Sequence, residues 1–209
     1  MKVTDVVVQK NNSQRVSVFV DNEYAFSLDG ADALLMKIKP GRELTKEDIE
    51  RCNYECNFTK ARDKALEILS GKSVSKRELS DKLSQKGYDE PIISDAISEL
   101  ESLGYINDED YASLFLEHCI SKMWGKKKIR YEMKQKGIPE AIIEEKLSEF
   151  DEDDNLEEIK EIIISKYRND DLSDMKTKAK ITRYLASRGF DFSLIDRVIK
   201  MSKEGLSDE

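Results

Sequence analysis

The sequence predicts a mainly α protein, an elongated tandem array of three-helix repeats behind a small N-terminal antiparallel β-rich subdomain. Three observations predict it. One segment pattern recurs three times, anchored on Gly87, Gly137 and Gly189. Its apolar residues keep helical spacing. Only residues 2–28 show the short, Val- and aromatic-rich runs of strands.

The strand-like runs come first. VTDVVVQ, RVSVFVD and EYAFSL are separated by turn chemistry at Asn11-Asn12-Ser13-Gln14 and at Asp21-Asn22. The second pair suits a two-residue hairpin, because Asn and Asp tolerate positive φ. A three-stranded meander is marginal alone, so it is expected to pack on helices at Ala31–Ile38 and, after the Pro40-Gly41 break, from Thr45 onward. Thr45 stands as an N-cap with acids behind it.

The first repeat reads as helices near 46–70, 75–86 and 90–103, with Ser75 and Glu78 spaced as a capping box. In the second, Asp108 is expected to cap a helix bearing Tyr111, Leu114, Phe115 and Cys119, followed by helices at 126–136 and 139–149. Pro91 and Pro139 fall where a first helical turn tolerates proline. The third has helices near 155–168, 174–188 and 191–202, and its tail from Glu204 is expected to fray. The corresponding domain division is 1–58, 59–107, 108–150 and 151–209.

The repeat itself is specific. Leu83, Met133 and Leu185 precede the three glycines by four residues, and Leu79, Ile129 and Ile181 by eight. Positions four apart lie on one helix face. A basic residue, Lys86, Lys136 or Arg188, stands just before each glycine, and Tyr88, Ile138 or Phe190 just after. A glycine there can take the left-handed conformation that ends a helix, and the apolar residue then folds back onto it. Ile92/Ile93, Ile142/Ile143 and Leu194/Ile195 complete the core of each copy.

Composition narrows the function. Charged residues make up 37% and the formal charge is −8, with a mean hydropathy of −0.62. Such a total argues against a simple basic nucleic-acid binder. Three cysteines give no disulfide framework and fit a reducing cytosol. The start, MKVTDVVVQK, lacks the apolar core of a signal peptide, and no run is long enough to span a bilayer, so a cytoplasmic protein is expected.

The charge is unevenly spread. Residues 122–136 hold seven Lys/Arg against one acid, 176–188 hold five against none, and 151–161 hold seven acids against one Lys. The last run, Asp151–Asp154 included, reads as a solvated link. The basic middle helices supply the contact candidates for a partner surface or for phosphates: Lys126, Lys127, Lys128, Arg130, Lys134 and Lys136, then Lys176, Lys178, Lys180, Arg183 and Arg188. Trp124 beside them could stack on a base, although a core or repeat-boundary role suits it better.

No catalytic, cofactor or metal constellation emerges. His118 lacks the partners that general-base chemistry needs. Cys52 and Cys56 are two of the four ligands a zinc site wants. Gly71-Lys72-Ser73 mimics a phosphate loop, but a helix rather than a strand precedes it.

The run Leu103-Gly104-Tyr105-Ile106-Asn107-Asp108-Glu109-Asp110-Tyr111-Ala112, followed by Gly125 with Ile129, Met133, Lys136, Gly137 and Ile138, resembles the pattern of the bacterial RecX regulatory proteins. Met133 stands where that family often has Leu. The resemblance covers residues 60–150, extends more weakly over 174–201, and the β-rich start is similar to an extension of some members. It implies a regulator of the RecA recombinase without enzyme activity or cofactor, a monomer that lies in the groove of the RecA–DNA filament. There it would limit filament growth, strand exchange, ATPase and coprotease activity in DNA repair, recombination and the SOS response. Direct contact with single- or double-stranded DNA is part of that expectation. The alternative from the residues is a helix-turn-helix-like module acting on DNA or transcription without RecA.

Overall fold

The computed structural model describes residues 1–10 and 12–205. Two compact units emerge, one from residues 1–73 and 79–106 and the other from 74–78 and 107 onward. A three-stranded antiparallel sheet at the N-terminus is followed by helices.

In the first unit β1 (Val3–Gln9), β2 (Asn12–Val20) and β3 (Glu23–Asp29) pair in the order β1-β2-β3. Asp21 and Asn22 both have positive φ, 50° and 72°, which matches the twist a two-residue hairpin needs. The first turn differs from expectation. Asn12, Ser13 and Gln14 lie within β2, and Gln9 pairs with Asn12; Asn11 lies outside the described residues, as does the tail from Leu206. On β2, Val16, Val18 and Val20 alternate inward and meet Val3, Phe26 and Leu28. The outer edge of β1 is covered at its start, where the Val3 N–H donates to the Arg42 carbonyl at 2.8 Å and the Gly41 N–H to the Val3 carbonyl at 2.8 Å. Such cover limits unwanted strand addition.

Helix α1 (Gly30–Leu35) stops three residues short of the expected Ile38. Lys37 takes a positive φ of 54°, which turns Ile38 back into the sheet's core. Thr45 then caps α2 (Lys46–Gly71) through a reciprocal capping box with Asp48, at 3.0 and 3.1 Å. This long helix runs through residue 58 unbroken. Cys52 belongs to the sheet's core, whereas Ala61 is fully buried with Ile92 and Ala96 of α4 (Glu90–Ser102). Small side chains at Ala61, Ala65 and Ala96 allow close approach. Between them α3 (Lys76–Ser84) buries Leu79 and Leu83.

The second unit carries α5 (Asp108–Ser121), α6 (Lys126–Gln135), α7 (Glu140–Glu149), α8 (Leu156–Lys166), α9 (Met175–Ser187) and α10 (Phe192–Gly205), with a 3-10 turn at Glu152–Asn155. Ile129, Met133, Ile143 and Leu147 fill the core under α5 to α7, and Ile163, Ile181, Leu185 and Ile195 that under α8 to α10. The glycines behave as the pattern requires. Gly137 and Gly189 have φ of 73° and 92°. The Ile138 N–H reaches the Met133 carbonyl at 3.1 Å and the Phe190 N–H the Leu185 carbonyl at 3.3 Å, the longer bond of a Schellman cap.

These helix ends also join one three-helix group to the group before it. The Arg188 carbonyl accepts the Gly125 N–H at 2.8 Å and the Gly189 carbonyl accepts the Lys127 N–H at 3.3 Å, while Glu152 Oε1 takes the Lys126 N–H at 2.6 Å. Three N–H groups at the start of α6 are thus satisfied by the following group. A Cβ on Gly125 would lie 2.6 Å from the Gly189 backbone, so neither partner tolerates a side chain there. The start of α3 repeats the arrangement. Ser75 Oγ donates to the Lys136 carbonyl at 2.5 Å, Asp108 Oδ1 accepts the Lys76 N–H at 2.9 Å, and a Cβ on Gly137 would overlap the Arg77 side chain.

Two expectations are corrected by this joint. Asp108 does not cap its own helix; Asn107 does, accepting the Glu109 N–H at 2.8 Å, and the buried Asp108 serves α3 instead. The acidic link at 151–154 is not simply solvated. Its Glu152 is drawn inward, where burial raises its carboxyl above the ordinary value, and Asp153 pairs with Arg197.

Gly87 has the same left-handed φ but open space around its missing side chain. Gly87→Ala should therefore cost only the backbone term, about 1–2 kcal/mol. Gly189→Ala meets the Lys128 backbone as well and should cost at least about 3 kcal/mol. Urea unfolding of both variants by circular dichroism checks the difference, and equal losses would contradict the joint.

Glu78 sits at the centre of the first joint. Its Oε1 meets Lys136 Nζ at 2.7 Å, and its Oε2 accepts the Tyr111 hydroxyl at 3.0 Å. Burial alone would raise this carboxyl, but the bonds from Lys136 and Tyr111 outweigh it and hold the group below its ordinary value. The stability this brings is present above the unfolded pKa of about 4.3 and is lost as pH falls through the lower folded value. Glu78→Gln should thus flatten the acid limb of an unfolding curve followed by the fluorescence of Trp124. An unchanged limb would remove Glu78 as its source.

Candidate partner-binding face

Helices α6 and α9 are amphipathic for the same reason: Ile129 and Met133, or Ile181 and Leu185, turn one stripe inward and leave the cations outside. The structure sorts those cations by what they touch. Lys136 is committed to Glu78, and Arg188 donates to the Lys122 and Met123 carbonyls while lying 5.0 Å from the Tyr184 ring. Both serve the joints or their surroundings.

On the outer face of α6, Arg130 is bonded to Glu140 and Glu144, and Lys134 Nζ lies 2.9 Å from Glu140. The hydrogen bond from Lys134 is the largest influence on the Glu140 carboxyl, and with the Lys134 and Arg130 charges it outweighs burial and holds the group below its ordinary value. Lys127 reaches Asp191 at 2.5 Å. Lys126 and Lys128 lie over rings instead, Lys126 Nζ at 5.9 Å from Phe150 and Lys128 Nζ at 4.3 Å from Trp124.

On α9 the pairing is looser. Lys178 is 3.5 Å from Asp196 and Lys180 is 3.7 Å from Asp170. Among the described residues no carboxylate pairs with Lys176 or Arg183. Exposed ion pairs contribute about 0–1 kcal/mol, so a partner's phosphates or carboxylates can exchange with them at small cost.

Trp124 packs half-buried against the core of α5 to α7, with Lys122 5.4 Å from its ring in addition to Lys128. Its ring is engaged by ammonium groups, a cation–π arrangement rather than an open stacking platform. His118 is exposed beside Phe115, with ring centroids 6.5 Å apart. Cys119 is fully buried, and burial pushes its thiol up to about 11. Cys52 is likewise raised by burial, and Cys56 lies 3.1 Å from an Arg15 nitrogen. Among the described residues no three metal-ligating side chains converge, and no helix is long and apolar enough to cross a membrane.

One feature was not singled out from the sequence. Met175, Ala179, Ala186 and Phe192 line an open hollow between α9 and the start of α10. The signal was available, since 175, 179, 182 and 186 make a second helical stripe outside Ile181 and Leu185.

Arg130→Ala should leave thermal stability within about 1 kcal/mol of the parent, because its two carboxylate partners are exposed. A larger drop in melting temperature would show that the lattice on α6 is structural.

The fold coincides with that of known proteins over nearly the full length. Residues 1–45 match the regulatory protein RecX N-terminal domain, and 61–100, 107–147 and 152–199 match its first, second and third three-helix domains. The chain is 33% identical to a regulatory protein RecX of Clostridium beijerinckii over 95% of its length and 94% of that protein's. Against a regulatory protein RecX of Bacillus pumilus the figures are 31%, 99% and 80%. A crystal structure of a regulatory protein RecX shares the fold with a TM-score of 0.72 at 24% identity, covering 97% of this chain and 98% of that one. The RecX structure from Lactobacillus salivarius gives 0.63 at 28% identity, covering 70% and 97%.

Proposed function

Because the chain belongs to the RecX family of regulatory proteins, we propose that it regulates the RecA recombinase by binding in the groove of the RecA–DNA filament. The observation that carries this reading is the full-length match to proteins named as regulators, with all three helix groups represented. In this reading the protein is a cytoplasmic monomer without catalysis or cofactor. It limits filament growth, strand exchange, ATP hydrolysis and coprotease activity in DNA repair and the SOS response.

The outward cations of α6 and α9 are the contact surface in this proposal. Lys126, Lys127, Lys128 and Arg130 have local partners that exchange cheaply, whereas Lys136 and Arg188 stay with the joints. Lys134, Lys176, Lys178, Lys180 and Arg183 extend the surface. The chain's charge of −8 directs such a surface toward a composite partner of protein and nucleic acid rather than toward bare duplex.

Replacing Lys126, Lys127, Lys128 and Arg130 together by Ala should raise the concentration for half-inhibition of RecA-dependent ATP hydrolysis about tenfold or more. Unchanged inhibition by a folded variant would remove α6 from the contact. A salt titration separates the alternative of a DNA-directed module. Steep loss of binding on naked duplex, with no effect on RecA, would favour that module.

A further inference from the structure

The second and third helix groups share their buried residues but differ on the outside. Counted from Gly137 and Gly189, Thr182 stands where Arg130 does, Ala186 where Lys134 does, and Phe192 where Glu140 does. Among the described residues, the Arg130 and Lys134 pairs that cover the outer face of α6 and α7 are replaced on α9 and α10 by a looser pair, Lys178 with Asp196 at 3.5 Å. Beside that pair is an open hollow of about 480 Å³. Met175 and Phe192 line it with 77% and 66% of their surfaces exposed, together with Ala179, Thr182 and Ala186. Lys178 and Arg183 line its sides.

Here small residues on a helix make a trough with a large apolar side chain at each end, the form that receives an apolar helix face. The charge around it selects the occupant. From Met175 to Arg188 the helix carries no acid, and Lys176 and Arg183 have no carboxylate partner among the described residues. A single-stranded nucleic acid fits less well, since Ala179, Thr182 and Ala186 offer no ring for bases to stack on and Lys178 and Lys180 are already partly neutralised by Asp196 and Asp170. A second copy is disfavoured by the mutual repulsion of chains with a net charge of −8.

We propose that the hollow between α9 and α10 is a docking site for an acidic amphipathic helix of a partner protein. Apolar side chains of that helix occupy the floor between Met175 and Phe192, and its carboxylates meet Lys176 and Arg183. The proposal deepens the reading above and rests on it only for the first probe.

Ala179→Glu and Ala186→Glu keep helix propensity and place a carboxylate in the floor, and Ala141→Glu on the exposed side of α7 is the control. Binding of the full chain to RecA filaments on single-stranded DNA should weaken about tenfold for the first two variants and stay unchanged for the control. Binding to the naked single strand should be unaffected. Unchanged filament binding by both variants overturns the proposal, as does an equal loss on the naked strand, which would make the hollow a nucleic-acid groove. Self-association of the parent that Ala186→Glu abolishes would assign it to a second copy and overturn the proposal too. Should the parent fail to bind filaments at all, the RecA reading fails, and a labelled helical peptide with Leu and Glu on opposite faces decides the docking site separately. That peptide should bind the parent and bind Ala186→Glu about tenfold more weakly; equal binding to both, or none, overturns the docking site.

Discussion

Every α-helix begins with N–H groups that its own turns cannot satisfy, and the second unit depends on how that debt is met. The starts of α3 and α6 take part of their acceptors from the following helix group, from the Lys136 carbonyl through Ser75 and from Asp108, or from the Arg188 and Gly189 carbonyls and Glu152. Such contacts need backbone to approach backbone. That is why the positions without side chains, Gly125 and Gly189 in particular, cannot be exchanged for other small residues. The glycine thus has two tasks, ending one helix with a left-handed residue and lying flat on the beginning of another.

The joint divides the basic residues into two kinds. Those next to the glycine, Lys136 and Arg188, are consumed by it, the first through Glu78 and the second through carbonyls and the Tyr184 ring. Those on the outer helix faces pair only with exposed acids or lie over rings, so they remain available for exchange. A count of lysines along α6 therefore overstates the charge presented to a partner, while α9, with fewer cations, keeps more of it unspent.

The core was legible because it is written in local spacing. Residues four and eight before each glycine, and six after it, are the ones found buried, and the left-handed glycines follow from the same pattern. What was not legible depends on partners distant in the chain. Asp108 looks like a cap for the helix it begins, and only the fold brings Lys76 to it. Glu152 reads as one of a run of solvated acids until the start of α6 reaches it. Arg130 and Lys134 look free in the sequence because Glu140 and Glu144 lie across a turn, on another helix. The early end of α1 has no sequence signal of its own: Lys37 adopts an unfavourable φ because Ile38 gains burial in the sheet's core. The apolar hollow escaped notice for a related reason, since small residues outside the main stripe look like filler until a neighbouring helix gives them walls.

The third group meets the same need differently. At the start of α9, Asp174 accepts the N–H groups of its own Lys176 and Thr177, at 3.1 and 3.2 Å, so among the described residues these two groups take nothing from further along the chain. The dependence therefore runs in one direction. Loss of the third group strips α6 of the Arg188, Gly189 and Glu152 acceptors, whereas the Asp174 cap of α9 stays with its own helix.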